Sequence, residues 1–124
     1  MTTGGELDSS EEFPFLAHAK PRPGQIEMIH ESREALRSGG YHLAAAPTGI
    51  GKTAAALAAA LDIAHGTPNK KTIFFLTSRQ SQHRIVVDTV RRINELRRDK
   101  DPVTLVDMIG QSGMCVQPFA KESP

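Results

Sequence analysis

Residues 44 to 60 read AAAPTGIGKTAAALAAA. His42 to Ala45 is a short, mostly apolar run suited to a buried parallel strand. Pro47, Gly49 and Gly51 then forbid a simple continuation of strand or helix. From Lys52 strong helix formers follow to about Ala64, and His65-Gly66 marks a helix end. The stretch therefore predicts a loop joining a strand to a helix N-terminus. Glycine lets backbone N–H groups curl around an anion there, and the helix adds unpaired N–H groups and the positive end of its dipole. The spacing fits the pattern G-x-x-x-x-G-K-[ST] except that Ala46 replaces the first glycine. A methyl group is tolerated at that junction if φ is negative. In such a loop the lysine (Lys52) reaches the β- and γ-phosphates of a nucleotide and the threonine (Thr53) places its hydroxyl on magnesium. The candidate cradle is Ala46, Pro47, Thr48, Gly49, Ile50, Gly51, Lys52 and Thr53. The alternative is a glycine-rich turn ahead of a core helix.

The same periodicity reasoning orders the rest of the chain. Pro21-Arg22-Pro23-Gly24-Gln25 reads as a turn into a helix that runs to about Ser38. Ile26, Ile29 and Leu36 would share its apolar face, and Gly39-Gly40 would end it. Thr72 to Thr77 (TIFFLT) reads as a second buried strand, Ser81 to Arg98 as a helix with Val86, Val90, Ile93 and Leu96 inward, and Val103 to Ile109 as a third strand. The order predicts an α/β fold: a parallel sheet flanked by helices, with phosphate binding after the first strand. Three strands leave such a sheet short of cover. Residues 1–12, rich in Gly, Ser, Thr and acids, read as a disordered tail.

Composition narrows the class. The 124 residues suit one small domain or part of a larger one. A net charge of +1 does not by itself argue for nucleic acid, but its distribution is uneven. Between Arg79 and Lys100 seven basic residues face three acidic ones, a local net charge of +4. Such a run serves either as a solvated helix face or as a face for a nucleic-acid backbone. The longest apolar run, Ala54 to Leu61, is too short to span a bilayer, so no membrane partner is expected. The single cysteine, Cys115, excludes an internal disulfide and suits the cytoplasm.

Four stretches in order, PRPGQ (Pro21 to Gln25), APTGIGKT (Ala46 to Thr53), FLTSRQSQ (Phe75 to Gln82) and GQSGMC (Gly110 to Cys115), resemble the start of the XPD/DinG-type DNA helicases of superfamily two. The resemblance runs from about Phe13 to Cys115 and implies the N-terminal part of a first RecA-like P-loop NTPase motor domain at 13–115, with the start of an iron–sulfur cluster region at 116–124. It implies ATP and magnesium as cofactors, with Gln25 on the adenine ring and Arg22 supporting that loop. A loop beginning with alanine is common in this family. By the same resemblance Thr77, Ser78, Arg79 and Gln82 would touch single-stranded DNA. Hydroxyls, a guanidinium and loop N–H groups can hold a phosphate at a strand's carboxyl end, although Thr77 or Ser78 could equally be a helix cap. Cys115 matches the first of four cluster cysteines. A lone cysteine is otherwise a small buried hydrophobe.

Departures from the family pattern bear on activity. The sequence has no D-E-A-H box, no further cysteines and no second motor domain with its arginine finger. The expectation is an amino-terminal helicase piece, inactive alone, whose partners are single-stranded DNA and the remainder of the helicase chain. The alternatives are a non-catalytic nucleotide- or DNA-binding module and another small P-loop NTPase or kinase. A kinase would need lid arginines after the second strand.

Overall fold

The computed structural model describes residues 12–47 and 49–110, whose regular structure is three helices: α1 (Gln25–Arg37), α2 (Lys52–His65) and α3 (Gln80–Leu96). Each lies within two residues of where the apolar periodicity and the glycine stops predict it. The positions expected on residues 1–11, Thr48 and residues 111–124, Cys115 included, lie outside the described residues.

Helix α2 is the centre of the core. Its Ala54, Ala55, Ala58 and Ala59 are buried with Leu57. Methyl-sized side chains let a neighbouring helix approach closely, and α2 packs mainly on α1 and more lightly on α3. Helix α1 contributes Ile29, and α3 contributes the stripe Val86, Val90 and Ile93. Three inward assignments need correction. Ile26, Leu36 and Leu96 are each more than two-fifths exposed. They lie at or near the helix ends, where no second element covers them.

The segment ahead of α1 closes the core from one side. Phe13, Phe15, Leu16 and Ala17 are buried, and two arginines clamp the phenylalanines. The Arg97 guanidinium lies 3.9 Å from the Phe15 ring centroid and donates from Nη1 to the Pro14 carbonyl at 3.1 Å. The Arg33 guanidinium lies 5.1 Å from the Phe13 centroid and donates from Nη2 to the Glu12 carbonyl at 3.1 Å. Its Nε approaches Asp62 Oδ2 to 3.0 Å without alignment for a hydrogen bond, so that contact between α1 and α2 is ionic. Cation–π contacts with this degree of burial contribute about 1–2 kcal/mol each.

The parallel sheet expected from the sequence is not present: among the described residues there is no strand. Residues 41–47, 70–77 and 101–110 carry strand-like composition and lack helical structure, but no backbone ladder joins them. Side chains of the helices hold two of them instead. The Asn94 amide donates from Nδ2 to the Val103 carbonyl (3.0 Å) and accepts at Oδ1 from the Val103 N–H (2.8 Å). His83 Nδ1 meets Asp107 Oδ1 at 2.6 Å, and His42 Nδ1 meets Ser32 Oγ at 2.7 Å. Residues 41–47 and 101–110 are each pinned to a helix in this way, and among the described residues no backbone hydrogen bond joins one segment to another. Leu43, Phe74, Leu76, Val106 and Met108 consequently remain at least three-quarters exposed. Apolar alternation reports which side chains gain from burial; a sheet also requires neighbouring backbones in register, and these segments do not supply them.

Candidate functional site

The loop between residue 46 and α2 is held in a conformation that only glycine supports at two points. Gly49 has φ 95° and Gly51, the residue preceding α2, has φ 80°. A methyl at Gly49 would meet open space, so only the backbone angle demands glycine there. A methyl at Gly51 would also run into Gln25 Nε2. The N-cap, Gly51, has no side chain to cap α2, so among the described residues its first N–H groups have no side-chain acceptor.

Lys52, the first residue of α2, turns back across this loop, and its Nζ donates to the Ala46 carbonyl at 2.8 Å. Ala46 thus engages the loop through its main chain, which any residue type can supply. No described non-glycine residue has a positive φ, so the methyl at 46 brings no strain. Thr53 follows on the first turn of α2 and is half-buried. Pro47 is exposed and Ile50 half-buried; Ile50 packs beside the Gly24 backbone.

Three hydrogen bonds latch the Pro21–Gln25 turn to the loop and to itself. Gln25 is fully buried. Its Oε1 accepts from the Arg22 N–H at 2.8 Å, and its Nε2 donates to the Gly51 carbonyl at 3.1 Å. Arg22 Nη1 donates to the Gly49 carbonyl at 3.4 Å. The amide of Gln25 is therefore already engaged in setting the loop's shape. One residue that the sequence reading passed over joins this group: His18 Nε2 lies 3.5 Å from where a Gly51 Cβ would be. Burial, then the positive charges of Arg22 and of Arg92 on α3, hold its pKa below the ordinary imidazole value. Nothing in the sequence around His18 distinguishes it from the other four histidines; only the turn that folds residues 17–24 back onto the loop brings it there.

The candidate DNA residues gather at the start of α3. Arg79 precedes the helix in an extended conformation (φ −135°), and no side chain caps it. Thr77 Oγ1 instead donates to the Arg79 carbonyl at 3.4 Å, which the Gln82 N–H also approaches at 3.0 Å. Ser78, Arg79 and Gln82 are exposed. The charge run beyond them is largely neutralised within the helix. Arg84 and Arg91 share Asp88, Arg92 pairs with Glu95, and Arg97 lies on Phe15. Within this run, among the described residues, Arg79, Arg97, Arg98 and Lys100 carry no ion pair, so the run's unpaired positive charge lies at the two ends of α3.

Among the described residues no helix is long and apolar enough to cross a membrane. The family model described as type III restriction enzyme, res subunit, matches residues 18–108, a span that takes in the latch, the loop and all three helices. No curated protein and no solved structure matches the chain. On that span the chain belongs to the type III restriction enzyme res subunit family, a superfamily-two helicase-type domain.

Proposed function

We propose that this chain is the nucleotide-binding portion of an ATP-dependent DNA helicase of the XPD/DinG type. The observation that carries the reading is the loop itself: left-handed Gly49 and Gly51, Lys52 folded over them, an uncapped helix N-terminus, and a buried latch through Gln25. The residues fit a nucleotide polyphosphate. Left-handed Gly49 and Gly51 keep side chains off the loop, and its N–H groups and the Lys52 ammonium supply positive potential there. In this reading Lys52 exchanges its bond to the Ala46 carbonyl for the β- and γ-phosphates, and Thr53 offers its hydroxyl to magnesium. Arg22 and Gln25 position the loop and border the adenine. Thr77, Ser78, Arg79 and Gln82 form the contact with single-stranded DNA. Cys115 belongs to an iron–sulfur cluster in the larger protein. The D-E-A-H carboxylates that hydrolysis needs come from the remainder of a helicase chain, so the reading assigns binding rather than turnover to these residues.

A thermal-shift experiment with Mg·ADP tests the reading. Nucleotide at a hundredfold excess over Kd adds about 2.7 kcal/mol to a folded protein. Wild type should melt higher with Mg·ADP and Lys52→Ala should not, while the two melt alike without nucleotide. A folded wild type that Mg·ADP leaves unmoved would refute the assignment.

A further inference from the structure

His18 is half-buried behind the loop, close to Gly51, and groups from four elements act on it. The turn before α1 presents Arg22, α1 presents the amide of Gln25, the start of α2 presents Gly51, and α3 presents Arg92, itself paired with Glu95 at 3.1 Å. Lys52 directs its ammonium away, to the Ala46 carbonyl. Among the described residues no carboxylate contacts the imidazole, and its proton is opposed by burial and by two guanidinium charges. An anion in the adjoining cradle reverses this balance. It offsets the field of Arg22 and Arg92 and attracts the imidazolium directly.

We propose that His18 is a further residue of the nucleotide site and that its protonation is coupled to nucleotide binding. The inference rests on the nucleotide reading above and adds to it that binding takes up a proton at this ring. The sign follows from linkage. If the bound state holds more protons than the free state, affinity rises as pH falls through the interval between the two pKa values. A tenfold rise in the ring's proton affinity caps the gain at about tenfold and the uptake at about half a proton per nucleotide.

Titration calorimetry with Mg·ADP at pH 7.5, 6.5 and 5.8, in two buffers of different ionisation heat, gives affinity and proton uptake for wild type and His18→Gln. The phosphates of ADP titrate equally in both experiments and cancel in the comparison. Wild type should gain severalfold more affinity on acidification than the variant, and the excess uptake should vanish in His18→Gln. Imidazole NMR on the unaltered protein makes the same measurement without a substitution: the His18 ring should titrate at higher pH with Mg·ADP than without. Binding by wild type with an unmoved His18 titration, or with a pH dependence that His18→Gln shares, overturns the proposal and leaves the nucleotide reading standing. A folded wild type that gives no heat at any pH ends both.

Discussion

Gly51 and Gly49 differ in what a side chain would meet, which separates two costs. At Gly49 an added methyl has room, and only the left-handed backbone opposes it, a penalty of about 1–2 kcal/mol. At Gly51 the same strain is joined by collision with the buried Gln25 amide. Gly51→Ala should therefore lower unfolding stability in urea by clearly more than Gly49→Ala. Equal losses would mean that the latch is not rigid. Gln25 is open to a similar comparison. Gln25→Glu retains the acceptor for the Arg22 N–H but sets a carboxylate oxygen against the Gly51 carbonyl where a donor stood. Loss of that bond with a buried acceptor left facing like charge costs on the order of 2–3 kcal/mol. A smaller loss for Gln25→Glu than for Gln25→Ala would count against the bond to Gly51 as the working half of the latch.

Helix α3 has a packed stripe, an internally neutralised charged face and free cations near its ends. On the proposed reading, its contact with DNA should therefore concentrate at Arg79. Arg79→Ala should reduce the slope of log affinity against log salt for single-stranded DNA by about 0.7, the value for one phosphate contact. Arg91→Ala should change it little, because Arg91 is already engaged with Asp88. Fluorescence anisotropy over a salt series distinguishes them, and equal effects would place the contact on the helix face instead. The same helix anchors residues 101–110 through Asn94, whose amide meets both polar groups of the Val103 backbone. Asn94→Ala should cost about 1–2 kcal/mol and speed amide exchange at Val103. Unchanged exchange at Val103 would show that the segment is held elsewhere.

Across the whole molecule, acid should act through His18. Its folded pKa lies below the ordinary imidazole value because of burial first and then Arg22 and Arg92. The unfolded chain therefore binds more protons in the interval between the folded value and about 6.5. The stabilisation of the neutral ring is complete above that interval and is lost as pH falls through it. The urea midpoint of the ligand-free protein should fall over that range, and His18→Gln should flatten the fall. A variant that tracks wild type would mean that other groups carry the acid sensitivity.

The helices, the glycine stops and the glycine-bent loop were legible in the residues because each is a local matter. Helix formation and left-handed glycine angles depend on neighbours within a few positions, and Val86, Val90 and Ile93 recur at the spacing that aligns them on one face. The charge run was readable only as a sum. Pairing within α3 decided which of its arginines remain free. Strand pairing, the Gln25 latch and the place of His18 are relations between segments far apart in the chain. TIFFLT has the composition of a buried strand, yet Phe74 and Leu76 stay exposed because no neighbouring backbone completes a ladder with them. Composition determined which segments favour burial; the tertiary structure decided which of them found a partner, because hydrogen-bond register and close approach are set by the whole chain's packing and not by any window of it.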